Sequence, residues 1–537
     1  MSFHQLINDA IFDAVGTSLG PFLPEVAICA TIVLLLLARM VFPRVLGAAF
    51  GLMLAGSLAA LWLAAPWEHL GPDAPMASAA GKTIPLFTGM LVYDPFSIYM
   101  RGLLLGFAVL FALYTRLSGV PGREEATEFY VLVLGATLGM CLMVSANHMM
   151  IVFLGVEMAS VPSYALAGLL KHRRTSSEAA LKFAVFGGAT AGVMLYGISL
   201  LAGALGSAHL PTMARQLAEM LESGAAEPRA LVLVLGGLMV MVGLAFKLSA
   251  VPFHFWAPDV FEGATAEVGA FLSVASKAAA LGLLVRLAIG FAHVAGSDAL
   301  TVALAPARLY LAGLIMLLAA VTCTFGNLAA YGQTNVKRLL AYSTIAHAGY
   351  MMMPVAAAVV LAGDSPEGAA RAVASVAFYA GIYLLMNLGA FAAAAFLRNA
   401  LGSERIDDYA GLVHRSPGIV VCFSIALFSL VGLPPLAGFP AKFTIFAAVF
   451  DARLLTLLAI GVLNTVLSLF YYVRVVKVMV LTPAPAPARA DAAAEVPLGS
   501  AAGLFCLVLA VALVVLGVLW NGLFAWAQSA ATPLFFQ

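Results

Sequence analysis

Charge is scarce in this sequence. Only 10% of its 537 residues are Asp, Glu, Lys or Arg, where a soluble domain carries about a quarter. The 27 basic and 26 acidic side chains leave a net charge of +1, so there is no electrostatic case for nucleic acid. Cysteine is scarce too: Cys29, Cys141, Cys323, Cys422 and Cys506 stand singly in apolar segments. Without CxxC spacing they offer neither an iron–sulfur nor a zinc ligand set and read as small packing residues. A P-loop, a GxGxxG after a strand and an HExxH are also missing, which leaves no signature of a nucleotide, flavin or haem site. Met1 to Gly20 lack the Lys/Arg start of a secretory signal, so the first apolar segment is itself expected to direct insertion.

Apolar residues fill the space: 63% of the chain is hydrophobic and the mean hydropathy is +1.03. A helix needs about 20 apolar residues to cross the hydrocarbon core. Runs of that kind begin near Phe22, Leu46, Leu91, Glu128, Met149, Ala179, Ala230, Glu267, Leu309, Leu339, Val373, Gly418, Leu454 and Gly503. No polar stretch between them is long enough for a soluble domain. Backbone groups find no water in lipid, so each run must be helical. The expected fold is an all-α polytopic membrane protein of about 14 transmembrane helices.

Orientation follows from the loops. Cations cluster after the first span (Arg39, Arg44), the third (Arg116, Arg123) and the fifth (Lys171, Arg173, Arg174). They also gather before the tenth (Lys337, Arg338) and twelfth (Arg398, Arg405, Arg415), and after the thirteenth (Arg474, Lys477, Arg489). Alternate loops are poorer in cations and carry acids such as Glu219, Glu222 and Glu227. The positive-inside rule then places both termini on the non-cytoplasmic side, as an even number of spans requires. Thr482 to Arg489, alternating Pro and Ala, reads as a linker.

The informative residues are ionisable groups inside apolar runs, where each costs about 2.5–3.5 kcal/mol on insertion scales. Glu157, Lys182, Lys247, Lys277 and Lys442 all lie within predicted spans, and His347 follows in LLAYSTIAHAGYMMM. Any one buried lysine can be half of a structural pair or a snorkelling residue, and Lys182, near a helix end, suits snorkelling best. Lys247 and Lys277 lie deep in adjacent spans joined by a short bend at His254 to Gly263, so both can face one interior. Five such groups together cost on the order of 10 kcal/mol, which interior hydration and mutual pairing must offset. An amine held between desolvation and a nearby carboxylate can exchange a proton near neutral pH. Glu157 is the natural modulating carboxylate for Lys247, and the imidazole of His347 can relay protons in either direction. The expected chemistry is proton transfer along Glu157, Lys247, Lys277, His347 and Lys442, with Lys182 a possible member.

Proline marks two interruptions. Pro252 and Pro258 follow Lys247, and Pro434, Pro435 and Pro440 precede Lys442. Proline removes a backbone donor, and a break at membrane depth is tolerated where protein or water lines it. Discontinuous seventh and twelfth spans, five positions apart, suggest duplicated halves with inverted topology. The expected segments are residues 1–126 (spans one to three), 127–292 (four to eight), 308–481 (nine to thirteen) and 482–537 (linker and last span). Asp259 and Glu262 read as interfacial loop residues, Arg101 and Arg286 as snorkelling or paired, and Glu25 as complementing a helix N-terminus.

The stretches FLGVEMASVPSYALAGLL, SSEAALKF, KLSAVPFHFWAPDVFEGA, FLSVASKAAA, NVKRLLAYSTIAHAGYMM and GLPPLAGFPAKF together resemble the antiporter-like membrane subunits of NADH:quinone oxidoreductase, respiratory complex I. They run in family order across roughly residues 20 to 480. The resemblance is closest to the N-type branch: the M-type subunit has glutamate where Lys442 stands, and the L-type subunit has a long lateral extension absent here. It implies that Glu157, Lys247, Lys277 and Lys442, with His347, form a buried hydrophilic axis. It also implies a bacterial inner-membrane location, coupling of proton translocation to quinone reduction elsewhere in the complex, and neighbours of the M and small K, J and A types. FMN, iron–sulfur clusters, NADH and quinone would belong to other subunits, with no cofactor or metal on this chain. One departure is GATAEVGAF, where Thr265 and Glu267 occupy positions that are commonly proline in the family. A multisubunit cation/proton antiporter subunit shares the broken-span motifs, and a membrane scaffold with paired buried charges is a third reading.

Overall fold

The computed structural model describes residues 11–41, 48–69, 83–122, 124–483 and 495–536. Arg44, Arg123, Arg489 and most of the Thr482–Arg489 linker lie outside the described residues. Within them the main helices are α1 (Leu23–Val41), α2 (Ala48–Ala64), α3 (Pro95–Ser118), α4 (Ala126–Val144), α5 (Met149–Ala167) and α6 (Arg174–Leu205). There follow α7 (Leu210–Glu222), α8 (Ala230–Leu248), α9 (Trp256–Gly263), α10 (Ala266–Gly290), α11 (Ala305–Ala330) and α12 (Val336–Leu361). The last are α13 (Pro366–Leu401), α14 (Pro417–Val431), α15 (Gly438–Asp451), α16 (Leu455–Leu481), α17 (Ala501–Val518) and α18 (Asn521–Ala531). Among the described residues 13 helices are long and apolar enough to cross a bilayer. The expected twelfth span is absent from that set because the chain there is split into two shorter helices, α14 and α15. The seventh is split as expected, into α8 and α9.

The bundle is built around α10, buried along its whole length, with α12 and α13 nearly as enclosed. By contrast α1, α2, α11, α16 and α17 leave most of their surface outward, the arrangement expected when lipid takes the place of water around an apolar rim. Glycine sets the closest crossing. A Cβ on Gly326 of α11 or Gly349 of α12 would meet backbone nitrogen of the facing helix at 2.5 Å, so the two helices pack backbone to backbone.

The expected third span begins differently from the reading at Leu91. Leu91–Tyr93 is a strand, β2, paired antiparallel with β1 (Ile84–Leu86), and the helix starts at Pro95. Asp94 explains the switch. Its carboxylate accepts from Ser97 N at 2.7 Å while Ser97 Oγ accepts from Asp94 N at 3.0 Å, a capping box with proline at the first helical position. The same carboxylate receives Arg286 Nη1 at 2.9 Å and Nη2 at 2.7 Å. Arg101 is likewise paired, to Glu25 at 2.5 Å, and also donates to the Pro21 carbonyl at 2.9 Å. Both arginines, left open between snorkelling and pairing, therefore pair in the interior.

Nearby, Asn147 donates to Gly89 O at 3.1 Å, and His148 bridges His209 in an isolated antiparallel pairing. Burial pushes both imidazoles below their usual pKa, and His209 adds charge repulsion at His148. The acids Glu219 and Glu222 sit on the exposed face of α7, whose Ala214 and Ala218 pack against Val294 and Leu304.

Breaking a buried ion pair from one side leaves an uncompensated charge, at a cost of about 3–5 kcal/mol. Arg286→Met is therefore expected to lower the thermal unfolding midpoint of the detergent-solubilised protein markedly. An unchanged midpoint would refute the anchoring role of the Asp94–Arg286 pair.

Candidate functional site: a lysine at the end of each broken helix

The two interruptions create backbone carbonyls with no helical partner, and each receives an ammonium group. Helix α8 ends at Leu248, and Ser249 adopts the left-handed conformation with φ 55°. Lys277, fully buried on α10, reaches across to donate to the Lys247 carbonyl at 2.9 Å and to Ser249 Oγ at 2.7 Å. Its Nζ also lies 4.9 Å from the ring centroid of Trp256, at the start of α9. Glycine would fit the left-handed position more easily, but only a hydroxyl-bearing residue gives Lys277 this acceptor. Lys247 sits one residue before the end of α8, buried, within electrostatic range of both Lys277 and Glu157.

The second break repeats the device. Helix α14 ends at Val431, Gly432 caps it with φ 89°, and Lys442 of α15 donates to the Val431 carbonyl at 2.9 Å. Its Nζ stands 4.4 Å from the ring centroid of Tyr350. A helix C-terminus carries partial negative charge, and half-helix ends of this kind commonly hold cations in transport proteins. Aromatic faces add a further attraction that needs no hydrogen bond.

Two clusters of hydroxyl-bearing residues lie beside the lysines, one next to Lys277 and one around His347. Ser273, one turn before Lys277 on α10, bonds Thr344 at 2.7 Å and Tyr383 at 3.0 Å. Asn387 donates to Tyr383 Oη at 2.7 Å and also reaches Ser273. Tyr383 packs beside His347, with ring centroids 5.2 Å apart. His347 Nδ1 meets Tyr379 Oη at 2.6 Å, and its Nε2 meets Tyr472 Oη at 3.3 Å. Tyr472 in turn contacts Ser343, while His347 and Lys442 interact through space. Lys247, Lys277, His347 and Lys442 are thus all buried among polar and aromatic side chains.

Glu157 and Lys182 stand apart. Glu157 is only partly buried and lines a small cleft with Ser160, Tyr164, Thr190 and Phe246, between α5, α6 and α8. Lys182 is 38% exposed and pairs with Glu178 at 2.8 Å and Asp259 at 2.7 Å. Arg338 reaches Asp259 at 2.9 Å and Glu262 at 2.6 Å. Asp259 and Glu262 are therefore not loop residues: they ride on α9, whose far end is clamped by Lys182 and Arg338. Lys337 completes the clamp by donating to the carbonyls of Glu262 and Ala264.

The sequence reading missed the hydroxyl clusters. A signal was present: Tyr379, Tyr383 and Asn387 recur every four residues on α13, hence on one face. Among the described residues, no group of three or more His, Cys, Asp or Glu is arranged to hold a metal ion.

The fold and the lysine row define a class of polytopic ion-transport subunits with discontinuous helices. A family model described as "NADH:quinone oxidoreductase/Mrp antiporter, TM" matches residues 146–468. The chain is 38% identical, over 98% of its own length and 98% of the relative's, to NADH-quinone oxidoreductase subunit N of an Anaeromyxobacter species. Among solved structures it is similar to a chain of respiratory complex I from Thermus thermophilus. That match has 29% identity and a TM-score of 0.70 over 93% of this chain and 98% of that one. A chain of the Mrp complex from a Dietzia species shares the fold at 20% identity, with a TM-score of 0.74 over 97% of this chain and 98% of that one. The chain belongs to the NADH-quinone oxidoreductase subunit N family, within the antiporter-like group.

Gly432 allows the second lysine site to form. A Cβ there would approach Lys442 Cδ at 3.0 Å and be forced into a left-handed backbone. Gly432→Ala is expected to cost about 1–3 kcal/mol and to push the ammonium off the Val431 carbonyl. A thermal unfolding midpoint and an experimental structure of the variant check both; an unmoved Lys442 refutes the reading.

Proposed function

We propose that this chain conducts protons across the bacterial inner membrane as a subunit of NADH-quinone oxidoreductase, using the Glu157, Lys247, Lys277, His347 and Lys442 row. The single observation that carries the reading is the pair of broken helices whose free carbonyl ends hold Lys277 and Lys442, with hydroxyl clusters and His347 beside them. In this reading the chain performs no redox chemistry. Quinone reduction, and the FMN and iron–sulfur groups it requires, belong to other subunits, and energy arrives through contact with neighbouring membrane subunits of M and small K, J and A type.

Each member of the row has a distinct task. Lys247 and Lys277 lie within electrostatic range of one another and cannot both stay charged without mutual repulsion, so protonation of one favours release from the other. Glu157 biases Lys247 by electrostatic attraction. His347, bonded to hydroxyls on both ring nitrogens, can accept at one and donate at the other. Lys442 is the terminal store. Lys182 serves best as part of the α9 clamp, outside the row. Moving one charge against 100 mV requires about 2.3 kcal/mol, and a two-unit change in an amine's proton affinity supplies about 2.7 kcal/mol. Modest rearrangement around one lysine is therefore enough for a step.

The same reading makes residues 127–292 and 308–481 inverted repeats, supported by the matching breaks and the lysine held at each. Charge placement supports both termini on the non-cytoplasmic side: Lys171, Arg173, Arg338 and Arg405 gather at one end of the bundle.

In the assembled complex reconstituted in liposomes, Lys247→Ala and Lys442→Ala are expected to lower NADH-driven proton pumping by about an order of magnitude or more. Glu157→Gln is expected to lower it less. Native pumping in both lysine variants refutes the assignment, and Na⁺/H⁺ exchange without NADH would favour an antiporter role.

A further inference from the structure

Glu267 is unexplained by the row. It lies in the first turn of α10, capped by Thr265, at the end of the bundle occupied by the α9 clamp. Its side chain is fully buried, and Oε1 meets Arg398 Nη2 at 3.3 Å. Among the described residues Oε2 has no hydrogen-bond partner. Lys337 and the Tyr114 hydroxyl also lie within electrostatic range, and Lys337 is paired with Glu404 at 2.9 Å. Tyr409, whose buried hydroxyl is likewise unpartnered, is close enough to Arg398 and Glu404 to feel their charge. The Arg398 and Glu404 side chains are each 18% exposed, so this charged compartment touches solvent at those two groups.

Inward it meets a plug. A Cβ on Gly269 would stand 2.9 Å from the ring of Phe391, so that ring closes the α10–α13 interface two residues beyond Glu267, on the opposite side of α10. On α13 the residues Asn387, Phe391 and Arg398 fall at i, i+4 and i+11, on one face of the helix. That face carries, in order, the hydroxyl network, the phenyl plug and the partner of Glu267. Asn387 Oδ1 is also buried without a partner. Along α13, Phe391 thus lies between Asn387 and Arg398, the partner of Glu267, and both the Asn387 and Glu267 side chains keep one oxygen unpartnered among the described residues. A carboxylate serving only as a counter-ion would be expected to satisfy both oxygens, because a buried unpaired acceptor costs about 1–3 kcal/mol.

We propose that Glu267 is a proton-loading group for the row, with Phe391 as the barrier between loading and delivery. This rests on the proton-conducting reading above. A proton leaves water that reaches the compartment past Arg398 and Glu404, and binds Oε2 to give the neutral acid. It then leaves Oε2, crosses beside Phe391 to the Asn387–Tyr383–Ser273 network, and ends on the neutral amine of Lys277. Arg398 is a positioning residue that holds Oε1 and leaves Oε2 free.

The test uses the reconstituted complex, with proton pumping per NADH oxidised and infrared difference spectra as readouts. Glu267→Gln is expected to lose a carboxylic C=O band that appears during turnover and to reduce pumping several-fold. The double variant Glu267→Gln/Arg398→Gln removes the unpaired cation and separates the two roles. Pumping that stays low in the assembled double variant supports loading, whereas recovery to the native level shows a counter-ion and overturns the proposal. If the single variant does not assemble, the double variant decides. Native pumping by Glu267→Gln also overturns it. Lys277→Ala, run in parallel, distinguishes the two failures: if it too pumps normally, the row itself is wrong, and if it alone is impaired, only the role of Glu267 is.

Discussion

The interior of this protein depends on one constraint: an ammonium group at membrane depth must be met by something negative that is itself not an ion. The structure answers by cutting two helices and turning their exposed carbonyl ends toward lysine. A carboxylate in the same place would form a stable pair and hold the proton permanently. Carbonyl dipoles, a serine hydroxyl and aromatic faces solvate the charged amine more weakly than a carboxylate would. Everything around the breaks serves that arrangement, from the left-handed caps at Ser249 and Gly432 to the clamp on α9.

True ion pairs are kept elsewhere. Asp94–Arg286 and Glu25–Arg101 fix the entrance of α3 to α10 and α1, and the Lys182, Asp259, Arg338 and Glu262 group closes one end of the bundle. These strong pairs contrast with Lys277 and Lys442, whose partners are carbonyls, a hydroxyl and aromatic rings. The enclosed position of α10, α12 and α13 follows from the same division, since these helices carry the hydroxyls and must be shielded from lipid on every side.

Much of this was legible in the chain. Hydropathy alone pointed to about 14 crossings because bilayer thickness imposes a length, and 13 helices among the described residues meet it, while proline marked both breaks. The buried lysines stood out because charge is expensive where they lie. What could not be read were features decided by contacts between distant segments. Leu91–Tyr93 looks like the opening of a helix until Ser145 accepts its backbone amide and Asp94 starts the helix afresh. Asp259 looked like a loop acid because eight residues of α9 are too few for a periodic signal. Serine, threonine and tyrosine scattered through apolar runs carry no insertion penalty large enough to notice, so the clusters around Ser273 and Tyr472 were invisible except for the four-residue spacing on α13.

The unequal burial of the row has a consequence for assembly. Lys247, Lys277, His347 and Lys442 are each at most 4% exposed, while Glu157 sits in an open cleft. Among these five groups, Glu157 is therefore the one that a neighbouring surface can touch directly. The other four side chains are walled off by their own helices, so a charge placed on that face would reach them first through this carboxylate.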